Sequence, residues 1–230
     1  MEEFLKKGDF VELDYTGRLA EGGVVFDTTI EEVAKKNRLF EQGAKYEPVK
    51  ICIGQRQVIE GLDEGLIGRE VGKTYKFRIP PEGAFGQKDA RLIQLIATSK
   101  FTKQEIVPMP GLQVNMDGML GTIRTVSGGR TLVDFNHPLS GKEIEYEATP
   151  KRIITDTAEK LNALMNVLGI KMEHTLEGER LTFKSDSQVL KQNEEAITKV
   201  VKEAIPEIKD VSFELVTTKT EARAEADKKI

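Results

Sequence analysis

The stretch from Gly54 to Gly68 holds the residues whose types and spacing best suit a binding site. Ile59, Leu62 and Leu66 lie three and four residues apart, which lines one side of a short helix with apolar groups. The acidic residues between them are expected on the solvent side: Glu60, Asp63 and Glu64. Val58 and Ile59, where the helix begins, would form an apolar floor for an outside ligand. The chemistry of such a site is binding rather than covalent attack.

Two glycines, Gly61 and Gly65, share one face of this predicted helix. Each glycine costs about 1 kcal/mol of helix stability relative to alanine. A short helix that contains two of them is expected to approach something closely. One interpretation is tight packing of the helix on a sheet, and the other is close contact with a ligand.

Few side chains can act as nucleophiles or metal ligands. The chain has one cysteine, Cys52, and two histidines, His137 and His174, which fall in different predicted units. A lone cysteine excludes an internal disulfide and a multi-cysteine metal site. Cys52 alternates with Ile51 and Ile53, so it is expected to fill the opposite face of a strand. The sequence predicts neither a metal site nor a cofactor.

Length and composition indicate a soluble protein of two or three domains. The chain has 230 residues, of which 39% are hydrophobic and 31% charged, and its net charge is -4. No apolar run approaches the roughly 20 residues of a membrane span. The first residues, Met1-Glu2-Glu3, lack the basic start of a secretory signal. We therefore expect a cytoplasmic protein with no membrane partner and no nucleic-acid partner.

The first unit is predicted to be an antiparallel sheet that covers one helix. Apolar residues alternate with polar ones in several stretches, as in strands with one wet face. These stretches are Val11 to Tyr15, Val24 to Phe26, Val49 to Ile53, Tyr75 to Ile79 and Ile144 to Ala148. The predicted helix within Gly54 to Gly68 is the one long enough to lie against them.

The middle of the chain is predicted to be an insertion in the first unit. New strands are expected at Leu92 to Ala97, Met119 to Val126 and Thr131 to Phe135, with a glycine turn at Gly128-Gly129. The last strand of the first unit, around Tyr146, follows only afterwards. The predicted domains are therefore 1–87 with 134–152, an insert at 88–133, and a third unit at 153–230.

The insert is rich in apolar residues and contains several methionines. A module of this size buries a low fraction of its surface, and methionine suits surfaces that accommodate varied partners. We predict that some of these residues bind other proteins and that the others form the insert's own core. The apolar residues are Phe101, Ile106, Val107, Met109, Leu112, Val114, Met116, Met119 and Leu120.

The third unit is predicted to be an α/β domain of order βαββαβ, if residues 151 to 155 supply its first strand. A charged tail is expected from about residue 217. Because such a sheet has an open edge, we predict that this unit forms a homodimer. Its basic and acidic residues are nearly balanced, which gives no support to nucleic-acid binding.

These motifs together resemble those of the FKBP-type peptidyl-prolyl cis-trans isomerases. The matching pieces are Tyr15-Thr16-Gly17, Phe26-Asp27, Gly54 to Gly68, Gly72-Lys73 and Ala84-Phe85-Gly86. The insertion and the following Asn136 to Lys142 resemble the SlyD-like subgroup, whose insert-in-flap domain binds unfolded chains. The third unit resembles the long archaeal type.

The resemblance implies an α+β fold in which an antiparallel half-barrel sheet wraps around a short helix. It also implies an inserted β-rich domain and a C-terminal α/β domain. The implied proline pocket is lined by Tyr15, Phe26, Asp27, Val58, Ile59, Leu62, Phe85 and Tyr146, with His137 and Leu139 near its mouth. Unfolded chains would contact Met109, Leu112, Val114, Met116 and Met119 on the insert.

Two residues depart from the family pattern. Leu62 stands where single-domain eukaryotic relatives usually have tryptophan, and Phe85 stands where many members have a tyrosine that bonds the substrate carbonyl. These changes bear on the binding of macrolide inhibitors more than on isomerase activity.

Several implied roles have alternatives. Asp27 could act only as a structural partner of the Tyr15 hydroxyl, Phe26 and Tyr146 could be ordinary core, and His137 could serve a turn. For the whole protein, the resemblance implies an isomerase and folding chaperone whose partners are unfolded or nascent polypeptides with X-Pro bonds. The alternative function is a holdase chaperone with a vestigial pocket.

Overall fold

The alternating stretches form strands, and the mixed α+β class with antiparallel sheets is confirmed. The computed structural model describes residues 3–185 and 193–215. In chain order the strands are β1 (Phe10–Leu19), β2 (Val25–Thr28), β3 (Val49–Cys52), β4 (Tyr75–Ile79), β5 (Ile93–Ala97), β6 (Gln113–Met116), β7 (Met119–Ser127), β8 (Arg130–Asp134), β9 (Ile144–Ile154), β10 (Glu173–Glu177), β11 (Arg180–Ser185) and β12 (Asp210–Leu215). The helices are α1 (Glu31–Lys36), α2 (Glu60–Leu66), α3 (Thr98–Thr102), α4 (Thr157–Val167) and α5 (Glu194–Ala204).

Strand β1 is the centre of the first sheet, whose order is β2-β1-β9-β4, with β3 also paired to β1. All of these pairings are antiparallel. β9 follows the whole length of β1, from Ile154 opposite Phe10 to Ile144 opposite Leu19, although the insert separates them in sequence. Val11 and Leu13 of β1 enter the same core as the apolar side of α2.

The two glycines of α2 allow the helix to pack closely on the sheet. A Cβ on Gly61 would overlap the Cγ2 of Ile79, and a Cβ on Gly65 would lie 2.7 Å from the Cδ1 of Phe77. Real Cβ atoms do not approach other heavy atoms so closely, so any larger residue would force α2 outward. The packing interpretation of Gly61 and Gly65 is therefore confirmed.

The insert has a sheet and a small core of its own. Its four antiparallel strands have the order β5-β8-β7-β6, and α3 follows β5. Three of these strands lie at nearly the predicted bounds, whereas β6 was not predicted. The buried core consists of Phe101, Val114, Ile123 and Val133.

The third unit differs from the predicted βαββαβ order. Its described part has the order αββαβ, with a three-stranded sheet β10-β11-β12 in which β11 and β12 are parallel. Residues 151–155 were predicted as its first strand, but 151–154 are the end of β9, and residues 152–154 pair with β1 of the first sheet. The predicted new strand is therefore the continuation of an old one. The predicted tail from about residue 217 lies outside the described residues.

The third unit shares a core with the first sheet. Phe10, Cys52 and Ile154 lie on the face of that sheet opposite to α2, and they pack with Leu161 and Leu164 of α4. Phe10 is 1% exposed, and Cys52 and Ile154 are fully buried. Cys52 therefore fills a second face, as its position in the strand predicts.

Ion pairs lie beside the core that the first sheet shares with α4, which we call the joint. Glu159 of α4 accepts hydrogen bonds from Lys50 Nζ at 2.8 Å and from Arg152 Nη1 at 3.0 Å. Arg152 also donates to Glu12 of β1 at 2.6 Å. Hydrogen bonds from Arg152, followed by those from Lys50, lower the pKa of Glu159 from its ordinary value of 4.5 to about 2.

The joint should weaken in acid. A carboxyl whose pKa is lowered by folding contributes stability above its unfolded value, and this contribution is lost as the pH falls through the folded value. For Glu159 the loss falls between pH 4.5 and about 2. We expect Glu159→Gln to flatten the fall of the thermal midpoint in this range. Exposed Glu64 is in no ion pair of the described residues, so Glu64→Gln is the control. Parallel wild-type and Glu159→Gln curves would contradict the prediction.

None of the helices in the described ranges is long and apolar enough to cross a membrane. The same residues hold no group of three or more His, Cys, Asp or Glu side chains arranged to bind a metal ion.

Candidate active site

Four aromatic rings from separate elements meet on the α2 side of the first sheet. Tyr15 comes from β1, Phe26 from β2, Tyr146 from β9, and Phe85 from the loop after β4. The Tyr146 ring packs edge-on against Tyr15 at 5.4 Å and against Phe26 at 5.9 Å between centroids. Phe26 also packs edge-on against Phe85 at 5.9 Å. The structure thus brings together the four predicted aromatic walls.

Asp27 is held by a neighbouring tyrosine. The Tyr15 hydroxyl donates to Asp27 Oδ2 at 3.0 Å. Burial, and then the charge of Asp27, raise the pKa of Tyr15, so its hydroxyl stays protonated and keeps donating. The other oxygen of Asp27, Oδ1, accepts no hydrogen bond from the described residues. The structural pairing is therefore present, and it leaves one carboxylate oxygen available.

The predicted floor lies at the start of α2. Leu62 is 1% exposed, while Val58 and Ile59 are half-buried and pack against the same core. The Ile59 carbonyl accepts the amide N–H groups of Leu62 and Asp63. The Ile59 N–H donates to no atom of the described residues. This backbone donor is available to a ligand.

Asp63 positions this floor, a role that its sequence position did not reveal. Its side chain is 2% exposed rather than on the wet side of α2. It accepts the backbone N–H of Gly54 and of Arg56, each at 2.8 Å. These two bonds hold the turn that leads into Val58. An aspartate in the first turn of a helix, shortly after a glycine turn, was the available signal.

Gly17 lies beneath two of the aromatic walls. A Cβ at this position would lie 2.8 Å from Phe26 Cζ and 2.9 Å from Tyr146 Cζ. The absence of a side chain therefore makes room for both rings. Sequence reasoning included Gly17 in a motif but gave it no role.

His137 lies beside the pocket. Its ring stacks on Phe85 with centroids 4.6 Å apart and planes within 3°. Its Nδ1 accepts the Leu139 N–H at 3.2 Å, so the residue also supports the turn. His137 is exposed and Leu139 half-buried. Both predicted roles, turn and pocket mouth, are compatible with this position.

Two segments, which carry Asp89 and Asn136, connect the insert to this mouth, and we call them the neck. Asn136 and Asp89, on the two connecting segments, exchange hydrogen bonds: Asp89 N–H to Asn136 Oδ1 at 2.8 Å, and Asn136 Nδ2 to the Asp89 carbonyl at 3.0 Å. Nearer the pocket, Ser140 Oγ donates to the Phe85 carbonyl at 3.0 Å. The neck therefore connects the insert directly to one pocket wall.

Asp134 is the buried charge of the neck, with 3% exposure. Burial by itself raises the pKa of Asp134, but hydrogen bonds from Asn136 and Arg124 outweigh it and lower that pKa to about 2. Arg124 Nη2 donates to Asp134 Oδ2 at 2.8 Å. The carboxylate stays ionised and keeps Asn136 in place.

The insert exposes only part of the predicted client-binding set. Met109 and Met119 are 55% and 46% exposed. Val114 does not lie on the surface, because it faces the insert's own core, and half-buried Leu112 and Met116 pack against that core. A small module needs these three residues for its interior. Five apolar residues of the insert outside the predicted set are also exposed: Val107 at 73%, Leu120 at 59%, Leu95 at 55%, Ile93 at 37% and Val126 at 36%.

Comparison with known families agrees with this geometry. Residues 1–102 match the model of the FKBP-type peptidyl-prolyl cis-trans isomerase family. Residues 94–139 match the model described as FKBP26, IF domain. A short-type peptidyl-prolyl cis-trans isomerase of Methanocaldococcus jannaschii is 40% identical over 146 residues, which cover 64% of this chain and 92% of the relative. The chain belongs to the FKBP-type peptidyl-prolyl cis-trans isomerases.

Two bacterial relatives extend the comparison. An FKBP-type 16 kDa peptidyl-prolyl cis-trans isomerase of Escherichia coli is 28% identical over 151 residues, covering 64% of this isomerase and 92% of the relative. An FKBP-type isomerase named SlyD, from Aeromonas hydrophila, is 31% identical over 153 residues, which cover 66% of this chain and 65% of the relative. The resemblance to the FKBP-type family and its SlyD members is confirmed.

Proposed function

We propose that this isomerase captures unfolded polypeptides on its insert and isomerises their X-Pro bonds in the aromatic pocket. The observation that carries the proposal is that the insert exposes apolar residues although it already has a core, among them Val107, Met109, Met119 and Leu120. Exposed apolar groups of this kind mark binding surfaces. We call these four residues the insert surface.

The neck raises the local concentration of a captured chain at the pocket. A chain held on the insert surface stays tethered near the pocket, so its prolines meet the pocket by an intramolecular step. The paired hydrogen bonds between Asn136 and Asp89 limit how the two connecting segments can separate. Because Ser140 contacts the Phe85 carbonyl, the tether ends at a pocket wall.

The pocket suits rotation about an amide. The planar X-Pro amide is stabilised by resonance, which gives a barrier of about 18–20 kcal/mol. In the twisted state the carbonyl and nitrogen are less charge-separated. A pocket that removes water from the amide therefore disfavours the planar form more than the twisted one. The walls of Tyr15, Phe26, Phe85 and Tyr146 provide this environment.

Two polar groups are proposed to orient the substrate. The Ile59 N–H, with no partner among the described residues, would hold a carbonyl of the segment after the proline. The unengaged Oδ1 of Asp27 would lie against the rotating amide, held by the Tyr15 hydroxyl. Leu62 and Val58 supply the apolar floor.

The insert surface can be tested by replacing its four residues with serine together. We expect kcat/KM for refolding of a proline-limited protein to fall at least about tenfold, because the tether is lost. Turnover of a proline tetrapeptide, which is too short to use the insert, should stay the same. The matched control is serine at Val24 and Ile67, which are 59% and 44% exposed on the first unit. Unchanged protein turnover, or an equal loss on the tetrapeptide, would contradict the proposal.

A second candidate function, a holdase chaperone with weak isomerase activity, is favoured by one residue. Phe85 puts a ring without a hydroxyl at a pocket wall. Under this proposal Phe26→Ala would keep full suppression of aggregation, and the parent protein would turn over a tetrapeptide only weakly. Strong tetrapeptide turnover by the parent protein would exclude it.

We also propose that the third unit supports a homodimer, with this chain as a long archaeal type of the family. β10 and β12 are the outer strands of the described three-stranded sheet, and an outer strand presents backbone groups that can pair with another chain. The molar mass in solution tests this proposal. A monomeric mass at all concentrations would remove it.

A further inference from the structure

Tyr146 has a buried ring and an unengaged hydroxyl. The residue is 4% exposed. Its hydroxyl makes no hydrogen bond to any described residue. Within the described residues, Arg18 Nε is the side-chain polar atom that is both fully enclosed and without a hydrogen-bond partner, and the Tyr146 oxygen does not share this state. The Tyr146 oxygen is therefore not sealed inside the protein, and its ring lies against Tyr15 and Phe26.

The other walls have no donor to offer. Phe26 and Phe85 carry no polar atom, and the Tyr15 hydroxyl already donates to Asp27. Asp27 acts as the acceptor of that hydrogen bond, and a carboxylate has no hydrogen to donate. Among the described pocket walls, Tyr146 is thus the side chain that can donate to a bound amide.

The hydroxyl is present as a donor at neutral pH. Burial, and then the charge of Asp27, raise the pKa of Tyr146 above its ordinary value of 10.0. The ring is held in place by edge contacts with Tyr15 and Phe26 and by the space above Gly17. A donor held in this way needs little reorganisation during the reaction.

The geometry points to Tyr146 as a catalytic residue whose hydroxyl donates a hydrogen bond to the imide nitrogen of the twisted X-Pro bond. In the planar amide the nitrogen lone pair is delocalised into the carbonyl and is a poor acceptor. Twisting localises the lone pair on nitrogen, so this hydrogen bond forms only as the transition state is approached. No covalent bond is broken and no proton is transferred. The inference rests on the proposed pocket.

The test is Tyr146→Phe, which removes one oxygen and keeps the ring. We expect kcat for a proline tetrapeptide to fall about tenfold with little change in KM, because the lost contact exists only in the transition state. Exchange between the two isomers, followed by NMR at several peptide concentrations, gives both constants. The control is Tyr75→Phe, whose hydroxyl accepts the Glu70 N–H outside the pocket and should leave both constants unchanged.

Two results would overturn the inference. One is that both kcat and KM are unchanged; the other is a raised KM with unchanged kcat, which would indicate a ground-state contact. A third variant separates this failure from failure of the pocket itself. Phe26→Ala should abolish most turnover if the pocket is correct. If Phe26→Ala loses turnover while Tyr146→Phe keeps the wild-type kcat and KM, only the role of the hydroxyl is wrong. If Phe26→Ala keeps full turnover, the proposed pocket is wrong and the inference fails with it.

Discussion

Gly17→Ala is expected to reduce tetrapeptide kcat/KM on the order of a hundredfold, because small displacements of positioning groups have effects of this size. The new Cβ would lie 2.8 Å from Phe26 Cζ and 2.9 Å from Tyr146 Cζ. Both rings would have to move away from this Cβ, and both are walls of the pocket. Phe26 also contacts Phe85, so the displacement would reach a third wall.

A second crowded glycine provides the control for this prediction. Gly121 of β7 lies in the insert, where a Cβ would meet Val133 Cγ1 at 2.6 Å and Phe135 Cδ1 at 2.7 Å. Gly121→Ala should strain the insert to a similar degree without touching the pocket walls. We expect it to keep tetrapeptide turnover, measured by NMR exchange. Equal turnover by Gly17→Ala and the wild type would show that the rings do not form the catalytic walls.

The strands of the first sheet could be predicted from the sequence because each has one buried face. Val11 and Leu13 of β1 alternate with polar residues, and both enter the core beneath the sheet. The same physical cause applies to β4 and to the first half of β9. Period-two alternation is a strong signal where a sheet covers a single helix.

Side chains whose role depends on distant partners could not be assigned in this way. Asp63 was placed on the wet side of α2 by the helical period, but the structure buries it because Gly54 and Arg56 supply two backbone donors. Val114 was assigned to a client surface by its apolar neighbourhood, yet the insert needs it for its core. Neither partner set can be read from local spacing.

The end of β9 shows the same limit at a domain boundary. Residues 151–154 continue a strand, and the sequence contains no signal for which sheet they join. The structure pairs residues 152–154 with β1, so Ile154 lies opposite Phe10. This register is what brings the third unit onto the first sheet. A boundary drawn at residue 152 therefore cuts through the shared core.

Phe10→Ala should show that the two units unfold together. Phe10 is 1% exposed, and it packs with Ile154 and Cys52 of the first sheet and with Leu161 and Leu164 of α4. Loss of a buried phenylalanine side chain costs about 3–5 kcal/mol, because apolar contacts are lost and a cavity remains. For a chain of this length, that corresponds to a fall in Tm of roughly 10 °C. Phe4→Ala, at a position 47% exposed, should have a much smaller effect.

The tyrosines allow the two units to be followed separately in this experiment. All four tyrosines, Tyr15, Tyr46, Tyr75 and Tyr146, lie in the first unit, so their fluorescence reports on that unit, whereas far-UV circular dichroism reports on both. Because Phe10 belongs to both cores, the two signals should shift to lower urea concentration together and remain coincident. If the fluorescence transition stayed at its wild-type position while the dichroism transition moved, Phe10 would stabilise only the third unit. A continuous core predicts a single transition, since removal of Phe10 weakens the packing of α4 and of β1 at the same point.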